Sequence, residues 1–196
     1  RKVRRFTKIK KIGHSGTLDP FATGVLALAF GEATKSIHFL SPIKEYDFEV
    51  TFGETRDTDD VTGNIIESNN VYPSLDSINS CIMTFIGTID QVPPNYSAVK
   101  VKGQRAYKLA RKGKTFDLGS KKVEIFKFQC LAKIADNTYS LRVKCSSGTY
   151  IRSLARDIAE KLGCFAYVSS LRRTGIGKFN EKNLISLDKF EELVHI

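Results

Sequence analysis

One carboxylate in this chain lies in a setting that suits catalysis. Asp19 belongs to the segment 13–20, Gly-His-Ser-Gly-Thr-Leu-Asp-Pro, and directly precedes a proline. Pro20 has a fixed φ angle and moves the residue before it away from α-helical geometry, and the two glycines of the segment permit tight turns. A rigid loop of this kind can hold a catalytic carboxylate in place. An Asp-Pro turn at the surface is the alternative, and the dipeptide alone favours it.

A second candidate is Arg152, at the start of the clearest helix in the sequence. Apolar residues recur at helical spacing from Ile151 to Leu162, and Gly163 follows as a stop, which predicts a helix over about 150–162. Arg152 lies about 100° round from Ile151, at the edge of the apolar stripe. From there it can bind a carboxylate through two parallel hydrogen bonds. An exposed surface arginine is the alternative.

Aromatic and basic residues offer binding functions. Tyr46 begins an alternating segment, 46–52, which predicts a strand and by itself favours core packing for the tyrosine. Between Val99 and Lys114 there are seven basic residues and no acidic one, with Tyr107 among them. That composition suits a surface that follows phosphates and stacks on a base. Residues 1–12 also carry seven Lys or Arg, for which the solvated face of a helix is the alternative.

Composition limits the class of protein. The 196 residues have a formal net charge of +10, a pI near 9.5 and 41% hydrophobic residues, which indicates one globular domain that binds a polyanion such as nucleic acid or an anionic membrane. No apolar run approaches the roughly 20 residues that a membrane helix needs. No signal-peptide apolar core follows the basic start. We therefore expect a soluble cytosolic protein.

Metal chemistry has little support in the pattern. The four cysteines are widely separated and include no CxxC pair, so reduced and mostly buried thiols are expected. The three histidines form no metal-binding pattern. Asp57, Asp59 and Asp60, ahead of Gly63, faintly resemble a calcium loop, but Val61 occupies a ligand position. A solvated turn is the favoured interpretation of those three aspartates.

The remaining periodicity predicts a mixed fold. The predicted helices are 32–40, 75–86, 106–111, 150–162 and 187–194. The predicted extended segments are 24–30 as a buried strand, 46–52, 97–103, 123–134, 139–145 and 165–171, with 53–64 as a loop or exposed hairpin. Because strands and helices do not alternate as βαβ units, we expect an α+β fold with a largely antiparallel sheet flanked by helices.

The stretch from Gly13 to Lys35, GHSGTLDPFATGVLALAFGEATK, resembles the signature of the TruB family of tRNA pseudouridine synthases. Further family motifs follow in the same order along the chain, so that the resemblance covers most of residues 11–175. They are Lys44-Glu45-Tyr46, the segment 91–113, Gly148-Thr149-Tyr150-Ile151-Arg152 and Ser170-Leu171-Arg172-Arg173. In two places the chain departs from the family: Ser15 stands where Thr is usual, and Phe21 where Leu is usual.

The resemblance implies a role for each candidate residue. Asp19 would be the essential carboxylate, Arg152 its ionic partner, and Tyr46 the residue that stacks on the target base. The implied RNA-binding residues are His14, Tyr150, Leu171, Lys100, Arg105 and Tyr107, of which Tyr150 and Leu171 would line the active site. No metal or organic cofactor is implied, because the isomerisation is redox-neutral and no cofactor motif occurs.

The implied activity is the conversion of uridine to pseudouridine at position 55 in the T-loop of tRNA, by a cytoplasmic enzyme of pseudouridine synthase fold. We expect one catalytic domain over 1–196, without the N-terminal strand and Lys-Pro loop normal for the family and without a C-terminal PUA domain. The expected partner is the T-arm of tRNA; we expect a monomer that needs neither a membrane nor a protein partner. Two alternatives stay open: a non-catalytic tRNA-binding or folding module, and the catalytic subunit of an RNA-guided pseudouridylation particle.

Overall fold

The computed structural model describes residues 2–194, and a seven-stranded sheet forms its centre. The strand order is β13-β12-β4-β11-β10-β7, with β2 added in parallel to β12, while all other neighbours in this sheet are antiparallel. The strands are β1 Ile12–His14, β2 Thr23–Gly24, β3 Leu28–Phe30, β4 Lys44–Phe52, β5 Glu54–Arg56, β6 Ile65–Ser68, β7 Gly87–Gln91, β8 Lys100–Val101, β9 Gln104–Arg105, β10 Lys121–Ala135, β11 Thr138–Cys145, β12 Ala166–Ile176 and β13 Phe179–Asn180.

Five α-helices and two 3₁₀ segments surround the sheet in the described residues. The helices are α1 Lys2–Thr7, α2 Leu75–Met83, α3 Ala106–Ala110, α4 Ile151–Lys161 and α5 Leu187–Val194, and the 3₁₀ segments are Gly31–Phe39 and Glu181–Asn183. The α+β fold with a largely antiparallel sheet is therefore confirmed. None of the helices within 2–194 is long and apolar enough to cross a membrane.

Strand β4 forms the middle of the core because its side chains alternate strictly between the two faces of the sheet. Tyr46, Phe48, Val50 and Phe52 are buried on one face. The predicted partner strand also agrees, since alternate residues of β11, from Tyr139 to Cys145, are buried. Helix α4 packs its apolar stripe against β12 and β4. Its N-terminal end therefore lies beside the edge of the core, where a polar site can form.

The prediction of one buried strand over 24–30 is wrong. Val25 is the one residue of that run that the structure buries, and the run divides into β2 and β3. Leu26 and Leu28 line an apolar groove of about 1270 Å³ between the first 30 residues and the segment 179–190. The run is apolar because it lines this groove; periodicity alone cannot distinguish a groove wall from a core strand.

The segment 53–64 starts with a hairpin strand, as one of the two predictions had it, but its acidic turn is not solvated. Strand β5 pairs with β6, and the turn between them buries Asp59 and Asp60. The expectation of a solvated turn is wrong for these two residues because arginines of α4 pair with both of them. Among residues 2–194 no cluster of His, Cys, Asp and Glu is arranged to hold a metal ion.

Three of the four cysteines, Cys81, Cys145 and Cys164, are buried as free thiols, and Cys130 is half-buried. Burial raises the pKa of both the Cys145 and the Cys164 thiol to about 11. These thiols therefore stay protonated at neutral pH and act as small core residues, as the sequence pattern predicts.

Candidate active site

The structure brings Asp19 and Arg152 into direct contact although 133 positions separate them. Arg152 donates from Nε to Asp19 Oδ2 and from Nη2 to Asp19 Oδ1, both at 2.9 Å. This two-point geometry fixes the plane of the carboxylate as well as its position. The arginine side chain is only 4% exposed and that of Asp19 is 32% exposed, so the carboxylate faces solvent from a buried cation. Such an ion pair keeps the carboxylate oriented and accessible from solvent.

Arg152 is held in place from the N-terminal end of α4. The Gln91 side chain, at the end of β7, accepts from Tyr150 N at 2.8 Å and donates to Tyr150 O at 3.1 Å. Ser153 Oγ donates to Val92 O at 2.8 Å. The helix therefore begins at a fixed point against the strand, and Arg152, two residues after Tyr150, is fixed with it.

The guanidinium also gathers two loops around itself. Its Nη1 donates to Thr58 O at 2.9 Å and lies 3.4 Å from Asp60 Oδ2, and its Nη2 donates to Tyr96 O at 3.2 Å. Asp60 Oδ1 accepts from Thr58 Oγ1, Thr62 N and Thr62 Oγ1, so this 5% exposed carboxylate is nearly saturated with hydrogen bonds. Arg152 is thus a cation shared by two carboxylates, Asp19 and Asp60.

The loop that carries Asp19 is tied to β12. Gly24 lies so close to Arg173 in the parallel β2–β12 pair that Val25 N donates to Arg173 O at 2.8 Å. Arg173 in turn donates from Nε to Val25 O at 2.7 Å and from Nη2 to Gly16 O at 3.1 Å. A fully buried arginine therefore holds both ends of the loop that presents the carboxylate.

A pocket of about 270 Å³ opens beside the ion pair. Five predicted site residues line it together: Asp19, Tyr46, Tyr150, Arg152 and Leu171. Its other walls come from residues that the sequence did not single out as pocket-forming: Thr17, Leu18, Lys44, Tyr96, Ser97, Ala98, Gly148, Thr149 and Ile151. One carboxylate, three tyrosines and the aliphatic side chains of Leu18, Ile151 and Leu171 line the same cavity, a composition that suits a flat polar ring.

Burial raises the pKa of Tyr46 and of Tyr150, two of the three tyrosines that line the pocket. For Tyr46 the neighbouring Arg173 guanidinium acts in the opposite direction, and the charge of Asp19 adds to the rise. Both phenols are accordingly neutral at physiological pH. Tyr46 is buried in the core and also lines the pocket, so the packing and the binding interpretation both hold for it.

The other predicted RNA-binding residues lie outside the pocket lining. His14 is exposed at the end of β1, accepts from Gly16 N at 3.3 Å and borders the apolar groove. Lys100 and Arg105 are exposed on the small β8–β9 hairpin, and the Arg105 guanidinium donates to Ala98 O. Tyr107 is half-buried, and its N donates to Ser97 O at 3.0 Å. The basic segment thus continues directly from the pocket wall formed by 96–98.

A third carboxylate, Asp59, is buried next to this network with Arg156 as its partner at 3.1 Å. Burial raises the pKa of Asp59 to about 6, and the charges of Arg156 and Arg152 act in the opposite direction. Its backbone has φ +58°, a conformation that Asn adopts as well as Asp. Asp59→Asn is therefore a clean probe of the charge.

We expect Asp59 to cost stability as the pH rises. Because its folded pKa lies above the unfolded value, the folded state binds more protons between about pH 4 and pH 6, and Asp59 lowers stability across that window. The unfolding free energy of Asp59→Asn relative to the parent should therefore rise from pH 4 to pH 7, by at most about 3 kcal/mol. Denaturant unfolding at several pH values measures the difference, and a pH-independent difference contradicts it.

Sequence reasoning missed Asp60, Gln91 and Arg173. Asp60 and Gln91 had no visible signal because their role depends on contacts with residues more than 50 positions away. Arg173 had one: it alternates with Leu171 along a strand and so points to the same buried face, where an arginine needs partners.

Known proteins resemble this chain in sequence and in structure. Residues 4–151 match the family described as TruB family pseudouridylate synthase, N-terminal domain, and residues 152–196 match the tRNA pseudouridylate synthase B C-terminal domain. Proteins named tRNA pseudouridine synthase B are similar throughout: that of Ehrlichia ruminantium is 46% identical over 98% of this chain, and that of Anaplasma marginale 49% identical over 93%. The chain spans 66% and 60% of those two relatives.

A solved structure of a Cbf5-Nop10-Gar1 complex superposes with a TM-score of 0.73 at 30% identity, over 97% of this chain and 48% of the matched chain. An H/ACA RNP bound to a substrate RNA containing 2′-deoxyuridine gives 0.69 at 26%, over 97% of this chain and 46% of the matched one. The pseudouridine synthase fold expected from the sequence is thereby confirmed. Since one family profile alone covers 148 of the 196 residues, this chain belongs to the TruB family of pseudouridylate synthases.

Proposed function

We propose that this chain isomerises uridine to pseudouridine at position 55 in the T-loop of tRNA. The observation that carries the proposal is the two-point Asp19–Arg152 ion pair on the wall of a pocket of about 270 Å³ that Tyr46, Tyr150 and Leu171 also line. In the reaction the N1–C1′ bond breaks, the uracil turns, and C5 bonds to C1′; C5 loses a proton and N1 gains one. The roles of Asp19, Tyr46 and Arg152 rest on the resemblance and on this geometry.

The pocket is a cavity of about 270 Å³ beside the ion pair, so a base would enter it only after its nucleotide has left the stacked loop. Tyr46 and Leu171 would hold the flipped ring, with Tyr150 at the helix terminus. The exposed Lys100 and Arg105, together with half-buried Tyr107, extend from the pocket wall and would follow the RNA backbone. His14, exposed beside the loop, would contact the RNA there.

The remaining expectations accompany this proposal. The enzyme would act as a monomeric single domain in the cytoplasm, on the T-arm of tRNA, with no membrane or protein partner. The charge of +10 agrees with a polyanionic substrate. The reaction is redox-neutral, so the chemistry calls for no redox cofactor.

Tritium release tests the proposal. The chain is incubated with a tRNA transcript labelled with tritium at uridine C5, and we expect release into water with a stoichiometry of one per tRNA. A matched transcript with cytidine in place of uridine 55 should release none. Release that persists with this transcript contradicts the position, and absence of release from every tRNA contradicts the activity.

A second candidate is catalysis within an RNA-guided particle, favoured by the likeness to the Cbf5-Nop10-Gar1 and H/ACA RNP structures. The two proposals differ in what they need: the tRNA enzyme works on a bare transcript, whereas the particle requires a guide RNA. Tritium release from the transcript alone excludes a requirement for a guide. A chain that binds tRNA and releases tritium under neither condition would fit the third alternative, a binding or folding module.

A further inference from the structure

Lys44 brings a basic side chain to the lining of the pocket. It starts β4, where residues two apart share a face, so it points to the same side as buried Tyr46 and Phe48. Further along β4 this face packs against the core. At Lys44, the first residue of the strand, the same face borders the pocket, and Lys44 is one of the lining residues. A lysine at a core-facing position of a strand is unusual because burial penalises its charge.

No carboxylate lies within 4.0 Å of Lys44 Nζ among residues 2–194. Its neighbour is another cation: Lys44 Nζ and Arg173 Nη1 lie 2.8 and 4.0 Å from the point that a Cβ on Gly16 would occupy. Burial first, and then the charge of Arg173, lower the pKa of Lys44. Two cations therefore lie close together behind Gly16, and the Lys44 ammonium has three N–H donors to offer an acceptor.

We propose that Lys44, with Arg173 behind it, stabilises the negative charge that develops on the uracil oxygens during the isomerisation. The inference rests on the proposed function. When the N1–C1′ bond breaks, its electron pair stays with N1 and spreads to O2 and O4. C5 then bonds to C1′, C5 loses its proton to solvent, and N1 takes up a proton from solvent. If Asp19 first adds to C6, the displaced pair moves to O4, and Asp19 leaves again when the C5=C6 double bond re-forms. Both routes place negative charge on O4.

Neutral uridine carries no such charge, so the ammonium binds the transition state more strongly than the substrate. Phosphate is the less suitable acceptor for this lysine. The pocket of about 270 Å³ that it lines is also lined by Tyr46 and Leu171, the two residues proposed to hold the base. The lysine and arginine predicted to follow phosphates, Lys100 and Arg105, are exposed on a different element.

Lys44→Met tests the inference against turnover. At saturating enzyme, the single-turnover rate of tritium release should fall about 100-fold, as for loss of one preorganised donor, while the tRNA Kd changes less than twofold. Lys44→Arg should recover part of the rate. The unfolding midpoint should not fall, because the substitution removes a half-buried cation next to another cation. Lys122→Met, 75% exposed on β10, removes the same charge outside the pocket lining and should leave the rate unchanged.

A binding experiment separates this inference from the proposed function, because it needs no turnover. Barbiturate is a planar pyrimidine anion whose charge is delocalised over two exocyclic oxygens and C5, and uracil is a neutral pyrimidine of similar size. By saturation-transfer NMR titration, the parent chain should bind barbiturate at least about tenfold more tightly than uracil, the gain of one charge-assisted hydrogen bond. Lys44→Met should abolish this preference, and Lys44→Arg should keep it.

Several results overturn the inference. Lys44→Met could weaken tRNA binding, leave the rate at saturating enzyme unchanged and reduce the salt dependence of the tRNA Kd by the contribution of about one phosphate contact. Lys44 would then be a contact to the RNA phosphate backbone. If Lys44→Met lowers the unfolding midpoint and weakens barbiturate and uracil binding by the same factor, the role of Lys44 is structural. A parent chain that binds barbiturate no better than uracil refutes it, whether or not tRNA turns over. If tritium release fails but the barbiturate preference depends on Lys44, the proposed reaction falls and the anion site stands.

Discussion

Asp19→Asn is expected to lower the single-turnover rate of tritium release by at least about 10⁴-fold, while tRNA still binds with nearly the parent Kd. The amide has the same shape as the carboxylate but cannot attack the substrate or accept its proton, and groups of this kind typically contribute such factors. Arg152 Nη2 can still donate to the amide oxygen at the position of Oδ1. Since the Asp19 side chain is 32% exposed, the unfolding midpoint should change little.

The matched variant is Arg152→Met, which should remove both activity and stability. In this variant Asp19 loses the hydrogen bonds that orient its carboxylate, and the buried Asp60 carboxylate loses its cationic partner. Removal of one partner from a buried pair costs about 3–5 kcal/mol, and the partial exposure of Asp19 points to the lower end of that range. Denaturant unfolding measures the loss, and filter binding together with single-turnover rates measures the function.

The two variants also test whether Asp19 and Arg152 act as one unit. The Asp19→Asn/Arg152→Met chain should be no slower than Asp19→Asn alone, because the arginine serves catalysis only through the carboxylate. Strictly additive losses would assign Arg152 a separate contact with the substrate. If Asp19→Asn retains a tenth of the parent rate, Asp19 is not the essential carboxylate.

Gly24→Ala is expected to destabilise the chain by about 3 kcal/mol or more. A Cβ on Gly24 would lie 2.1 Å from Arg173 O and 2.8 Å from Arg173 N, both backbone atoms, and the residue has φ +103°. Overpacking and left-handed strain add at such a site. Because the β2–β12 pairing and the Arg173 hydrogen bonds anchor the Asp19 loop, turnover should fall together with stability.

The control is Gly119→Ala, where a Cβ meets no atom within 4 Å and φ is not in the left-handed region. It should be neutral or slightly stabilising. For a chain of this size the Gly24 variant should lower Tm by roughly 6–12 °C in calorimetry. Equal Tm values for the two variants would mean that the backbones of β2 and β12 can move apart to accommodate the added Cβ without a loss of stability.

How well each element can be predicted depends on how far apart in the sequence the residues that stabilise it are. Strand β4 and helix α4 were visible because strict periods of 2 and 3.6 encode which side faces the core. The run 24–30 was misread because groove walls and core strands share an apolar composition. Asp60 belongs to the site only because it contacts Arg152. Lys44 belongs to it only because the start of β4 lies at the pocket. Neither contact can be predicted from the neighbouring sequence. Asp19 and Arg152 were identified by motif, and their distance came from the fold.

The contacts of Arg152 bear on how the chain acquires its active form. Its guanidinium binds chain segments 133, 94 and 56 positions away, supplied by three separate loops. No local stretch can assemble this arrangement, and each loop is closed at an entropic cost that grows with its length. In a partly folded chain in which any one loop is not in place, the guanidinium lacks one of its hydrogen-bond acceptors. The catalytic arrangement is therefore completed only when all three loops have folded. The ion pair thereby couples catalytic readiness to completion of the whole domain.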